Sequence, residues 1–316
     1  MWLSLAARTK QTYASAWKSY NTFCITFSLH TIPITEYKLI HYVTHMATTK
    51  IAHQSIQVYI SGLAFHGQMY GAPFKISDMS NLYHVMRGIK RSQGNSCTKA
   101  KRIPITIRHM QQIHKYLIMV YPNVDGKMVW SAVTLAFFGL LRSSEYTSPT
   151  AHTFTESTLR FSDITLTSNR LFIHVRVSKT DTFRQGTVVR LFSLNSILCP
   201  VAATSTCIQT IGVRQGPIYT FQNGSFLTRT WMAGFLQTVF PFIQNINTHS
   251  FRIGGATAAS TQGIPDNIIQ TMGRWSSDCY RQYIRVSDQE LCDYQRRMVM
   301  ETNDITIFNS HTLSSI

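Results

Sequence analysis

Acidic residues are scarce in this chain. Its 316 residues carry 14 Asp and Glu against 30 Lys and Arg, a net charge of +16, although only 14% of residues are charged. The positive charge therefore comes from missing acids, and it argues against cationic substrates and in favour of a polyanionic partner. No cluster of carboxylates offers a Mg²⁺ site, no glycine-rich phosphate loop offers an ATP site, and no Ser-His-Asp set is present. Six cysteines are present, Cys24, Cys97, Cys199, Cys207, Cys279 and Cys292, with no Cys-x-x-Cys pair among them. That spacing speaks against a zinc ribbon or a disulfide framework and for reduced thiols. His41 and His45 have helical ligand spacing but no glutamate beside them, so they read as part of a mixed helix face. No metal and no small-molecule cofactor is expected. The longest apolar run, Met128 to Leu141, is too short for a bilayer and contains Ser131 and Thr134. Met1 to Lys10 lacks the charged start and apolar core of a signal peptide, so the expected setting is intracellular, away from membranes. Internal repeats and low-complexity tracts are absent as well.

What is there is enough for two domains with real cores: hydrophobic residues make up 44% of the chain. Residues 1–95 hold nine basic and two acidic residues, and residues 96–316 hold 21 and 12. Positive charge on both halves suits a clamp better than a basic tail. Residues 1–92 read as a helical domain. Tyr13, Trp17, Tyr20 and Cys24 fall at helical spacing, as do Ile56, Tyr59, Ile60 and Leu63. This aromatic stripe reads as core, which leaves Lys10, Lys18, Lys50, Lys90 and Arg91 as candidates for backbone phosphates. Residues 93–103 are polar, basic and aperiodic, the mark of a linker, with Lys99, Lys101 and Arg102 also placed to meet DNA.

Pro104 opens a second domain, expected over 104–300, with a tail at 301–316. Ile107 to Tyr121 and Lys127 to Leu141 read as helices. Residues 158–192 switch to a period of two, and Leu159–Phe161, Leu171–Val177 and Thr187–Phe192 read as three strands of a small antiparallel sheet. Helices resume at Pro200. The expected fold class is mainly α with one small antiparallel sheet.

The residues that carry chemistry lie in this second region. Arg142 ends a long apolar helix, where a guanidinium must find an anion or water, and Glu145 three residues on is a natural ion-pair partner. Lys179 sits where a strand enters a hairpin loop, with Arg176 and Arg184 as nearby competitors. His249 and Arg252 share a helix face, followed by Gly254-Gly255, a pair that would let backbone approach a phosphate closely. Trp275 offers an N–H that donates but does not titrate. Tyr280 and Tyr283 are both placed to act as nucleophile. Two arginines, a lysine, a histidine, an indole and a tyrosine together form a kit for phosphate-ester chemistry in which guanidinium forks bind the phosphate oxygens.

The order Arg142 with Glu145, Lys179, His249-Ser250-Phe251-Arg252, Trp275 and Tyr283 resembles the tyrosine recombinases, or phage-type integrases, over residues 104–290 and more weakly over 8–92. The phrase from Gly273-Arg274-Trp275 to Tyr283-Ile284-Arg285 is most similar to recombinases of eukaryotic mobile elements of the Crypton and DIRS groups. The resemblance implies a two-domain DNA clamp whose N-terminal helices grip DNA. It also implies Tyr283 as nucleophile in a 3′-phosphotyrosine intermediate, Lys179 as general acid, Glu145 as the acid that orients Arg142, and homotetramers on paired duplex DNA sites. A nuclear location would follow in a eukaryote. Type IB topoisomerases, and a domesticated DNA-binding protein without catalysis, are the alternatives.

Overall fold

The computed structural model describes residues 1–94, 101–178, 181, 183–286, 288, 291–293 and 295–296. It divides into two compact units between Ala100 and Lys101, within the stretch expected as the linker. Lys99, Lys179 and the expected tail 301–316 lie outside the described residues.

Among its described residues the first unit has four α-helices: α1 (Ala7–Thr26), α2 (Glu36–Thr48), α3 (His53–Met69) and α4 (Ser80–Gln93). Local chemistry sets their ends. The Thr35 hydroxyl accepts from Lys38 N and caps α2. The Gln93 amide ties the end of α4 to the chain before α3, accepting from His53 N and donating to Ile51 O, each at 2.8 Å. Tyr20, Cys24, Leu39, Val43, Ile56, Leu63 and Leu82 have no exposed surface; of the α1 stripe, Tyr20 and Cys24 belong to the core, Trp17 packs against it partly buried, and Tyr13 is half-buried. α1 and α3 meet closely: a Cβ at Gly62 would lie 3.0 Å from the Ala16 side chain.

The second unit is built on α6 (Val124–Phe138), preceded by α5 (Ile107–Val120). From Met128 to Phe137 every residue of α6 is buried, so the helix runs through the middle of the unit rather than across its surface. Its Ser131 hydroxyl is satisfied inside the core by Thr204 Oγ1 at 3.1 Å and Tyr219 Oη at 3.3 Å. The helix starts earlier than the apolar run suggests because Asn123 caps it, accepting from Gly126 N. After the short α7 (Ser143–Tyr146) come β1 (Ile164–Leu166), β2 (Arg170–Val175) and β3 (Thr187–Phe192), an antiparallel sheet in the order β1-β2-β3. The first expected strand, Leu159–Phe161, is corrected: the Asp163 carboxylate accepts from Arg160 N at 2.8 Å and folds 161–163 into a 3₁₀ turn, so pairing begins at Ile164. Further helices are α8 (Pro200–Ile211), α9 (Arg229–Val239), α10 (Ser250–Thr261) and α11 (Asp266–Gly273), followed by a 3₁₀ turn at Asp278–Gln282. The fold is mainly helical with one small antiparallel sheet. Among the described residues no helix is long and apolar enough to cross a membrane.

Candidate active site

The site is assembled from the ends of helices. α6 ends at Phe138, and the chain turns through Leu140, whose φ is +45°, before Arg142 caps α7. Glu145 closes this turn, with one carboxylate oxygen accepting from Arg142 N at 2.9 Å and the other from Arg142 Nη1 at 3.2 Å. Only 1% of the Glu145 side chain is exposed, which makes the pair a fixed orienting contact rather than a surface ion pair. From the same helix, Tyr146 Oη donates to the carbonyl of Thr248 at 3.0 Å. That bond ties α7 to the residue before His249.

His249 stands at the start of α10. The Asn247 side chain accepts from His249 N at 3.0 Å, and Ser250 Oγ accepts from Asn247 N at 3.1 Å, which fixes the turn into the helix. One turn on, Arg252 is fully buried. Its guanidinium donates to the carbonyls of Leu140 and Gly273. It lies 4.2 Å from the centre of the Trp275 ring and 5.4 Å from that of Tyr283. These are cation–π distances in a desolvated setting, where such contacts are strongest. Gly273 makes the stack possible, because a Cβ there would sit 1.7 Å from the Trp275 ring.

The Tyr283 ring lies 5.3 Å from His249 and 5.0 Å from Trp275, measured between ring centres. Tyr283 is partly exposed. The other candidate nucleophile is differently employed: Tyr280 is 2% exposed and its hydroxyl donates to Asp266 at 2.7 Å. Thr257 on α10 donates to the Tyr283 carbonyl at 3.1 Å and accepts from Arg285 N at 3.2 Å, which pins the segment carrying Tyr283 to the helix carrying Arg252.

The structure thus brings together Arg142, Glu145, His249, Arg252, Trp275 and Tyr283. The competitors to Lys179 are engaged elsewhere. Arg176 binds Asp163 at 3.0 Å and the Thr158 carbonyl at 3.0 Å, and Arg184 pairs with Glu156 at 2.9 Å. The Gly254-Gly255 pair is corrected. A Cβ at Gly254 would meet the Ile105 carbonyl at 1.9 Å, and one at Gly255 the Phe137 carbonyl at 2.3 Å, so these glycines let α10 pack against its neighbours.

Electrostatics favours an anion. Burial, then the charges of Arg102, Arg252, Arg229 and Arg142, push His249 down to about 4, so its imidazole is neutral at pH 7. Burial, then Arg142 and Arg274, hold Arg252 below the ordinary arginine value, and Glu145 partly offsets them. It remains charged, because arginine does not deprotonate in proteins.

Sequence reasoning passes over Arg274, which sits between Gly273 and Trp275 and binds Glu145 at 2.9 Å, and over Arg229. It also reads Arg102 as linker, whereas Arg102 lies in the second unit, close enough to act on His249. In the first unit, Arg87, Lys90 and Arg91 of α4 line a recess of about 940 Å³ with Tyr83, His53 and His84. Lys10, Lys18 and Lys50 lie outside its lining, on α1 and just after α2. Among the described residues no group of three or more His, Cys, Asp or Glu side chains is placed to hold a metal ion.

No protein-family model and no curated protein sequence matches the chain. Solved structures do. XerH site-specific recombinase bound to a palindromic difH substrate, in a post-cleavage complex, matches 92% of this chain and 80% of its own at 15% identity, with a TM-score of 0.59. A lambda integrase dimer bound to a COC′ core site matches 90% and 91% at 16% identity, TM-score 0.58. The Tn1549 transposon integrase in complex with transposon right end DNA matches 93% and 95% at 12% identity, TM-score 0.56. What this chain shares with these recombinases and integrases is the fold.

Proposed function

We propose that the chain is a DNA strand-transferase of the tyrosine-recombinase kind, cutting and rejoining duplex DNA at specific sites without metal or ATP. The observation that carries this reading is the placement of a partly exposed tyrosine, Tyr283, against His249, Arg252 and Trp275, beside an ion-paired Arg142. The solved relatives in fold, each bound to its own DNA, support it.

In this reading Arg142 and Arg252 clamp the non-bridging oxygens of the scissile phosphate, where negative charge grows in the pentacoordinate transition state. Tyr283 Oη attacks phosphorus. The P–Oη bond forms as the bond to the 5′ oxygen breaks, leaving a 3′-phosphotyrosine. The tyrosine proton passes to neutral His249. Lys179, which falls between β2 and β3 in the sequence, gives a proton to the departing 5′ oxygen. Because the ester bond energy is kept in the adduct, the 5′ hydroxyl of another strand reverses the step and joins new partners. Glu145 takes no proton and orients Arg142.

Exchange between two duplexes calls for several copies acting together, and a tetramer on paired sites is the assembly we propose. The likeness of residues 273–285 to Crypton and DIRS recombinases points to a mobile element of a eukaryote and a nuclear site of action. The basic recess lined by Arg87, Lys90 and Arg91 is the part of the first unit best suited to backbone phosphates.

Two-duplex exchange tests this function. Duplexes selected by the chain from a random pool, supplied in pairs with chelator present, should yield reciprocal recombinants. Relaxation of supercoiled plasmid without exchange would assign the chain to topoisomerase chemistry. Binding without any strand breakage would leave it a DNA-binding protein.

A further inference from the structure

Arg274 is placed against the grain of the backbone. It ends α11 in the left-handed region, φ 57° and ψ 46°, where a helix usually places a glycine. The neighbouring glycine, Gly273, is committed to the Trp275 ring. The long side chain at 274 is folded inward with 10% exposed. Its Nη2 donates to Glu145 Oε2 at 2.9 Å and to the Leu140 carbonyl at 3.2 Å. Both acceptors are shared with the phosphate clamp: Glu145 also holds Arg142, and the Leu140 carbonyl also receives Arg252. Leu140 is itself in the left-handed region at φ +45°, in the turn that delivers Arg142.

We infer that Arg274 is a positioning residue, which sets the orientation of Arg142 through Glu145. The inference rests on the proposed function. Glu145 is a single buried carboxylate facing two guanidinium groups. With Arg274 in place, one oxygen is occupied by Arg274 and by the backbone of residue 142, and the Arg142 side chain meets the other oxygen through Nη1. The Arg142 fork is then not drawn square onto the carboxylate. Without Arg274 the carboxylate is able to pull Arg142 into a two-pronged pair, the geometry that arginine and carboxylate prefer. The clamp then closes on Glu145 instead of on substrate. Arg274 acts against that collapse.

A double-mutant cycle on single-turnover DNA cleavage tests this, with Arg274→Met, Glu145→Gln and the pair, and with Arg274→Lys as a milder variant should Arg274→Met fold poorly. Arg274→Met should slow cleavage by up to roughly 10²-fold, the scale of loss when a reacting group is misplaced by an ångström. DNA affinity should stay unchanged. Arg274→Lys should recover part of the rate. In the Glu145→Gln background the Arg274 substitutions should have little further effect, because the carboxylate they release is no longer there. Additive losses would show that Arg274 acts on DNA directly and overturn the inference, as would a loss confined to affinity. A parent chain that cleaves while both Arg274 variants cleave equally fast overturns the inference alone. A parent chain that never cleaves selected DNA overturns the proposed function and the inference with it.

Discussion

Arg252 carries a full charge with no exposed surface, and its neighbours explain how that is tolerated. Two carbonyls accept from its Nη1 and Nη2, an indole face covers it, and Glu145 supplies opposite charge. In the proposed function this arrangement would hold one side of a phosphate site in place before any phosphate arrives, the preorganisation that oxyanion stabilisation requires. Arg142→Ala and Arg252→Lys should each slow single-turnover cleavage by roughly 10²-fold or more. Arg252→Ala should in addition strand the Gly273 carbonyl and lower stability by about 1–3 kcal/mol, read by denaturant titration. His249 gives a second prediction at this scale. Its folded pKa, about 4, lies below its ordinary value of 6.5, so the unfolded chain binds the proton more readily. Between pH 6.5 and 4 the unfolded state holds more protons than the folded one, and stability falls as pH falls through that window. The contribution is fully present above pH 6.5. His53, His66, His109 and His114 are also lowered by burial and act in the same direction. The test is therefore a difference: from about pH 7 to about pH 5 the thermal midpoint of the parent should drop further than that of His249→Gln. Equal drops would show that His249 titrates normally.

At the scale of elements, the residues proposed for the chemistry come from places where elements end. Arg142 follows α6, His249 precedes α10 and Arg274 ends α11, while Lys179 falls between β2 and β3 in the sequence. If Lys179 is the general acid, Lys179→Ala should cleave slowly on ordinary DNA but near the parental rate when the leaving 5′ oxygen is replaced by sulfur, since a thiolate leaves without a proton. Equal slowness on both substrates would make the lysine a phosphate ligand only. α4 offers a separate test. Replacing Arg87, Lys90 and Arg91 by alanine should weaken DNA binding evenly across sequences and lower the salt slope of binding by roughly one for each phosphate no longer neutralised. An unchanged slope would put the DNA surface elsewhere. The elements differ in how far they can be read from sequence. α1, α5, β2 and β3 are legible because one face of each is buried and the apolar period shows it. α6, buried all round from Met128 to Phe137, has no such period, and its start is set instead by the Asn123 cap. β1 is displaced because Asp163 competes for the backbone of Arg160, a local bond that alternation does not register. In the site, Arg142, Glu145, His249, Arg252, Trp275 and Tyr283 stand out by type and order. Arg274 does not, because its significance depends on Glu145, 129 positions away along the chain.

Across the whole molecule, the shortage of acids and the site agree. The chain has a net charge of +16, and the buried carboxylate of the site is shared by two arginines, so the positive field is left uncancelled where phosphate chemistry would occur. The charge is also distributed over both units, as a protein that grips a polyanion from two bodies requires. The part that the tail, residues 301–316, plays in assembly is open to truncation at Met300, which should leave single-site binding intact while preventing tetramers on DNA, as sedimentation would report. The central claim is narrower: Tyr283 forms a covalent bond to DNA phosphorus. The most direct measurement is trapping on a nicked duplex, drawn from DNA the chain selects, whose cleaved fragment diffuses away and leaves the adduct stranded. Peptide mapping by mass spectrometry should place the 3′-phosphate on Tyr283, in the presence of chelator, and Tyr283→Phe should bind the same DNA and yield no adduct. An adduct on Tyr280, or undiminished adduct from Tyr283→Phe, would contradict the account.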